Sequence, residues 1–192
     1  MKHSSSRELF AYWNERRGQR PAPERADVDP GAIRGALGDS FILALDDGEA
    51  RFRLAGTRVC ALFCRELKGA SFLSLWSAQS RVAVDALIRA GSDESAGSVA
   101  GAVGYVTDGQ VDLELLLLPL LHRGRQDARL IGILAPLKIP YWLGTEPVRE
   151  LTLGVHRHVG PLVSPRVSRS HITLPTESRP RRGLVVHQGG RT

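Results

Sequence analysis

The chain has 192 residues, of which 42% are hydrophobic and 24% charged, and its formal net charge is +6. This is the composition of a soluble globular protein, and it excludes a fibrous repeat or a wholly disordered chain. The two cysteines are too few for a disulfide scaffold, and no apolar run approaches the ~18 residues that a membrane-spanning helix needs. The first residues contain no apolar signal core, so the sequence predicts a cytoplasmic protein without a membrane span.

The positive charge is concentrated at the end of the chain. From His156 onward there are seven arginines and one acidic residue, Glu177, whereas residues 1–155 carry equal numbers of acidic and basic side chains. Four prolines and few large apolar residues leave this stretch little surface to bury. We therefore predict that residues 144–192 form a basic, largely flexible tail. Its one apolar run, at 183–187, could add as a strand to a sheet edge.

A short helix is predicted at the start of the chain. Ser5 and Glu8 have the spacing of a capping box, and Gly18 ends the helix. Its large apolar side chains are more than so short a helix can bury by itself: Leu9, Phe10, Tyr12 and Trp13. Because aromatic side chains are favoured at interfaces, we predict that these four contact a partner or a second copy, in preference to the chain's own sheet. The proline- and charge-rich stretch that follows makes residues 1–28 a helix with its linker.

A short helix and a β-hairpin are predicted next. Asp29-Pro30 combines an N-cap residue with a proline in the first turn, which is typical of a helix start. An apolar run from Phe41 then leads to Asp47-Gly48, a two-residue hairpin turn. The returning strand alternates with period two, which predicts that Phe52 and Leu54 both face the interior.

Two helices are predicted between residues 56 and 91. The first ends at Gly69 and carries apolar residues at helical spacing: Val59, Leu62, Phe63 and Leu67. The second is predicted to be capped by Ser74 and to carry a longer apolar stripe: Trp76, Ala83, Val84, Leu87 and Ile88. A polar loop follows over residues 91–95.

Three strands complete the body of the chain. They are predicted at residues 97–107, from 111 and at 130–137, and are joined by turns at Asp108-Gly109 and at 122–126. Pro119 lies inside the leucine-rich middle strand and lacks a backbone donor, so a bulge or an edge position is expected there.

These elements define an α+β fold. Each neighbouring strand pair is joined by a hairpin, so the sheet is antiparallel, and the helical segment between its two halves must cross one face. The sequence predicts, over residues 29–143, a five-stranded antiparallel sheet with helices packed on one face, preceded by the N-terminal helix.

This order, with several short motifs, resembles a family of small bacterial regulators that consist of a single PAS domain. The motifs are Leu-Phe-Ala-Tyr-Trp-Asn-Glu at 9–15, Arg-Pro-Ala-Pro at 20–23, Phe-Arg-Leu-Ala-Gly-Thr at 52–57 and Arg-Glu-Leu at 65–67. The likeness covers most of residues 8–142. It implies a stand-alone sensory and interaction module of bacterial signalling, without catalytic activity, in which a cupped sheet faces helices across a small interior. It also implies a homodimer, a signalling partner protein and room for a small-molecule ligand.

If the interior holds a ligand, both layers of the domain line it. The candidates from the helices are Phe63, Leu67, Trp76, Val84 and Leu87, and those from the opposing sheet are Val103 and Tyr105. The strand glycines Gly97, Gly101 and Gly104 are interpreted as close-packing positions, with a ligand cavity as the alternative.

No cofactor or metal site is identified. Cys60 and Cys64 lie on one helix face but lack the further ligands of a zinc site, so we interpret them as small buried hydrophobes, with a redox-active pair as the alternative. The run around Cys64 only loosely echoes the flavin-binding motif of blue-light PAS domains, because Phe63 and Lys68 replace its amides. Haem is disfavoured as well, since the helical segment has no histidine and His122 falls at a strand end.

Two other classes of function are kept as alternatives. A nucleic-acid-associated adaptor would use the arginine-rich tail, although that tail has no aromatic residue to stack on bases. A hot-dog-like thioesterase would need a carboxylate on its long helix, where Asp85 is the only acid and has no histidine nearby.

Overall fold

The structure, a computed structural model, describes residues 1–46, 48–93, 95–122 and 125–160. The run at 183–187, predicted as an added strand, lies outside these residues. The helices and strands, in chain order, are α1 (Ser4–Arg17), β1 (Ser40–Asp46), β2 (Glu49–Ala55), α2 (Thr57–Leu62), α3 (Ala78–Asp93), β3 (Gly97–Val106), β4 (Gly109–His122), β5 (Arg125–Pro136) and β6 (Glu150–Val159). Short 3-10 turns lie at Arg25–Asp27, Pro30–Ile33, Leu37–Asp39 and Leu73–Leu75.

The strands form one antiparallel sheet in the order β2-β1-β5-β4-β3-β6. The predicted α+β fold with its N-terminal helix is confirmed, but the described sheet has six strands where five were predicted. The additional strand β6 lies in the segment predicted to be tail and pairs along β3 from Gly97↔Val159 to Tyr105↔Glu150. A loop over residues 137–149 separates β6 from β5. The sequence therefore has no tight-turn signal before β6 from which this strand could be predicted.

Both faces of the sheet are covered. The inner face, which we define as the one against α2 and α3, carries a core that includes Leu115 and Leu117 of β4. The outer face, covered by α1 and residues 20–39, carries a second core that includes Leu116 and Leu118. Alternate leucines of one strand therefore fill opposite cores, which explains the unbroken apolar run Leu115–Leu118 in β4.

The helix ends differ from the predicted ones. His3, and not Ser5, is the N-cap of α1, and its ring Nδ1 accepts the Ser5 N–H at 3.2 Å. Gly18 ends α1 with φ +54°, as predicted. The long helix α3 begins only at Ala78, so Trp76 precedes it and Ser74 lies in a 3-10 turn. The helix predicted at Asp29-Pro30 is a single 3-10 turn, whose N-cap carboxylate accepts the Gly31 N–H.

A β-bulge reverses the predicted orientation of Leu54. Ile42 pairs with Leu54 and Leu43 with Phe52, so Arg53 is an extra residue in β2. Phe52 is buried in the inner core as predicted, whereas Leu54 lies on the outer face and is 46% exposed. Beyond the bulge the alternation changes phase, which the sequence pattern does not reveal.

Pro119 pairs with Leu130 of β5, and the β4–β5 register shifts just beyond it, between Leu120 and His122. On its other side the β3–β4 pairs end at Ser98↔Leu117. Pro119 thus lies beyond the last β3–β4 pair, so on the β3 side its missing N–H breaks no hydrogen bond of the sheet.

Candidate functional site

The helical residues predicted to line a ligand pocket lie together in the inner core: Phe63, Leu67, Trp76, Val84 and Leu87. All are buried, and aromatic rings fill the space beside them. Phe72 stacks on Phe41 with ring centroids 5.4 Å apart and meets Trp76 at 5.8 Å. The predicted interior is therefore an aromatic core.

One buried polar atom of this core has no hydrogen-bond partner among the described residues. The indole Nε1 of Trp76 is buried and makes no hydrogen bond within the described part of the chain. Such a donor costs about 1–3 kcal/mol relative to a satisfied one. It is the feature of the interior that a ligand acceptor would best complement.

The sheet residues predicted for the same pocket are elsewhere. Val103 and Tyr105 alternate with Ala100, Ala102 and Val106, and it is these three that belong to the inner core. Val103 is half-buried and Tyr105 is exposed on the opposite face of β3. The prediction that Val103 and Tyr105 oppose the helical candidates was wrong. The alternation of side chains separates the residues of a strand into two faces, but it does not reveal which face packs against the helices.

The residues of α1 predicted to contact a partner mostly pack on the chain's own sheet. Leu9, Tyr12 and Trp13 are buried in the outer core, whereas Phe10 is half-buried and stacks beside Trp13. The Trp13 Nε1–H donates to the Pro119 carbonyl at 2.7 Å, and the Tyr12 hydroxyl donates to the Asp27 carbonyl at 3.0 Å. Both polar tips are thereby satisfied within the chain, which leaves Phe10 as the member of this set that a partner could reach.

A buried carboxylate joins the two helical layers, and we call it, with its partners, the Asp39 junction (Ser5, Asp39 and Arg58). Asp39 follows the outer-face segment and is 1% exposed. Ser5 of α1 donates its hydroxyl to Oδ2 at 2.6 Å, and Arg58 of α2 donates Nε to Oδ1 at 2.7 Å and Nη2 to Oδ2 at 2.8 Å. The hydrogen bond to Asp39 raises the pKa of Arg58. No sequence motif marked this junction, because its members are 34 and 19 residues apart along the chain.

A second buried carboxylate fixes the start of the chain. Glu114 of β4 is buried on the outer face and accepts the Lys2 N–H at 2.5 Å and the His3 N–H at 3.0 Å. Burial by itself raises the pKa of Glu114, but hydrogen bonds from Lys2, Ser6 and His3, together with the nearby N-terminal positive charge, outweigh it and hold that pKa below its ordinary value. Glu114 therefore anchors the segment that enters α1.

The two cysteines differ in their surroundings. Cys60 is half-buried, whereas Cys64 is exposed with φ +49°. Burial raises the pKa of the Cys60 thiol, and the neighbouring Glu66 carboxylate raises it further. The interpretation of both as buried hydrophobes was thus wrong for Cys64, because α2 ends at Leu62, before that residue.

The other residues considered for catalysis or metal binding are not brought together in a site. Asp85 of α3 accepts Arg89 Nε at 2.7 Å in a surface ion pair. No group of three or more His, Cys, Asp or Glu side chains comes together within the described ranges. The side chain of His122 lies outside what the structure describes.

The β3 glycines have different roles. A Cβ at Gly97 would lie 2.8 Å from the Val159 carbonyl, and one at Gly104 would lie 3.0–3.2 Å from three aliphatic side chains. Close packing accounts for both. A Cβ at Gly101 would meet only the Val155 carbonyl oxygen, at 4.0 Å, and Gly101 borders an open surface cavity.

These features define an α+β domain in which helices cover an antiparallel sheet and no assembled group for bond chemistry is found among the described residues. The chain belongs to the PAS domain family, whose model matches residues 1–135. No curated protein and no solved structure matches the chain. PAS domains are sensory and interaction modules, so this class of function applies to the chain. Of the helices that the structure describes, none is long and apolar enough to cross a membrane.

Proposed function

We propose that the chain is a cytoplasmic, non-catalytic sensory and interaction module of bacterial signalling. It acts by binding a ligand or a partner protein, and α1 is the element that reports the binding. The observation that carries this proposal is the Asp39 junction, because one buried carboxylate is shared by the N-terminal helix and by α2.

The junction links the two faces of the sheet. Val59 and Leu62 of α2 are buried in the inner core, so a ligand or partner that displaces this core also displaces Arg58. Arg58 and Ser5 hold the same carboxylate oxygen, Oδ2, so the hydrogen bond from α1 changes with the position of Arg58. Binding that favours one arrangement of α2 thereby favours one arrangement of α1.

Hydrogen–deuterium exchange tests this coupling. Arg58→Gln removes the guanidinium from the junction, and we expect faster amide exchange in α1 as well as in α2. Arg53→Gln is the matched control, since Arg53 pairs with Asp46 at the surface at 2.6 Å. Faster exchange confined to α2, or an equal change in α1 in both variants, would overturn the coupling and with it the assignment of α1 as the reporting element.

The binding partner is tested in two further ways. The unpartnered Trp76 N–H supports a small-molecule ligand in the inner core, and native mass spectrometry of the purified chain should then show an added mass. The half-buried Phe10 supports self-association as a homodimer. Light scattering should then show a dimer that Phe10→Gln weakens. A ligand-free monomer at every concentration leaves binding of a separate protein as the function.

A further inference from the structure

An apolar groove lies on the outer face, remote from the inner core. It has a volume of about 360 Å³ and runs between the segment before β1 and the sheet edge at β2. The large apolar side chains that line it are Val28, Ile33, Leu37, Ile42, Leu54 and Ile131. Gly56 keeps this region compact, because a Cβ there would lie 2.2 Å from the Leu37 carbonyl oxygen.

The β2 bulge opens this groove to ligands. Ile33, Ile42 and Ile131 are buried beneath it, whereas the bulge turns Leu54 outward to form an exposed wall. A groove of this volume is within the usual range of small-molecule sites, about 300–1,000 Å³.

A single charged residue, Arg25, lines the groove. Its guanidinium has no hydrogen-bond or ion-pair partner within the described residues, although two acids are close in sequence. Asp27 pairs with Arg20 at 2.7 Å, and the side chain of Glu24 accepts a backbone N–H in a capping box with Asp27. The groove thus combines an apolar channel with one uncompensated positive charge.

We propose that this groove binds an amphiphile with a flexible apolar chain and one anionic head, such as a medium-chain carboxylate. The chain lies along the aliphatic lining, and the head pairs with Arg25. The charge argues against the chain's own C-terminal segment as occupant, because residues 161–192 carry six arginines and one acid. This proposal does not depend on the coupling through Asp39, since the groove is on the opposite face from the inner core.

Calorimetry with decanoate, octanoate and decan-1-ol tests the site. We expect decanoate to bind about fifteenfold more tightly than octanoate, because it has two more methylenes and each buried methylene contributes about fourfold in affinity. Arg25→Gln should weaken decanoate about tenfold or more and leave decan-1-ol unchanged, which also shows that the groove is intact. Leu54→Gln should weaken both ligands.

The controls are Arg65→Gln and Val82→Gln, which change exposed residues away from the groove. Neither should alter binding. Absence of decanoate binding overturns the proposal, and so does equal weakening by Arg25→Gln and Arg65→Gln, which would indicate unspecific surface adsorption. If Leu54→Gln instead dissociates a dimer and decanoate does not bind, the groove is an interface between copies and the proposed ligand is wrong.

Discussion

Two arginine–aspartate pairs in this chain have nearly the same length and differ in burial. Arg58 holds Asp39 at 2.7 Å and Arg53 holds Asp46 at 2.6 Å, yet Asp39 is 1% exposed and Asp46 is 51% exposed. If burial and not contact distance decides the contribution of such a pair, the same substitution must have different consequences at the two sites. We therefore compare Arg58→Gln with Arg53→Gln.

The expected magnitudes follow from the exposures. Breaking a buried ion pair costs about 3–5 kcal/mol, because the remaining charge stays desolvated. Arg58 itself is 40% exposed, so water can reach the gap that it leaves, and we take the lower end, about 3 kcal/mol. Removing Arg53 exposes a carboxylate that is already hydrated, so its loss should cost at most about 1 kcal/mol.

Urea unfolding measures both variants. With a slope of about 2 kcal/mol/M, a loss of 3 kcal/mol lowers the midpoint by about 1.5 M, whereas Arg53→Gln should shift it by less than about 0.5 M. The slopes should match that of the wild type. Equal midpoint shifts in the two variants would show that the junction does not stabilise the fold through its buried carboxylate.

Two further predictions concern the other perturbed groups. The pKa of Glu114 is lowered from its ordinary value of 4.5, so the stability it confers is complete above pH 4.5 and is lost as the pH falls through the folded-state pKa. Glu114→Gln should therefore be less stable than the wild type at pH 7, with a difference that shrinks below pH 4.5; a pH-independent difference in urea midpoints would contradict this. With iodoacetamide at neutral pH, the exposed Cys64 should be alkylated before Cys60, whose pKa is raised, and peptide mass spectrometry showing equal rates would refute the assignment.

Local signals were sufficient for much of the fold. The Asp-Gly pairs at 47–48 and 108–109 predicted two hairpins, and β1–β2 and β3–β4 pair as expected. The second turn falls one residue earlier than predicted, at Thr107 and Asp108, because Gly109 already pairs with Val106. The apolar stripe with Val84 and Leu87 identifies the buried side of α3. These features depend on residues close in sequence, which is why sequence reasoning could find them.

The rest depends on pairing between distant segments. Leu54 faces outward because β2 contains an extra residue, Arg53, opposite β1. Nothing in the sequence around Arg53 indicates that it forms a bulge. The Asp39 junction combines three elements that only the tertiary fold brings together. One signal was present and was passed over: a strand such as β4 with four leucines in succession, Leu115 to Leu118, is typical of a sheet covered on both faces.

Because both faces of the sheet are covered, binding on either face can affect the N-terminal helix α1. The outer groove and the Asp39 junction share one short stretch of chain, since Leu37 lines the groove and Asp39 ends the same 3-10 turn. A ligand in the groove would therefore contact the 3-10 turn that contains Asp39, whose carboxylate accepts the Ser5 hydroxyl. The inner core acts on that carboxylate from the other side, through Arg58 of α2. Ligands on opposite faces of the sheet would thus converge on the same helix, α1, and their effects on it need not have the same sign.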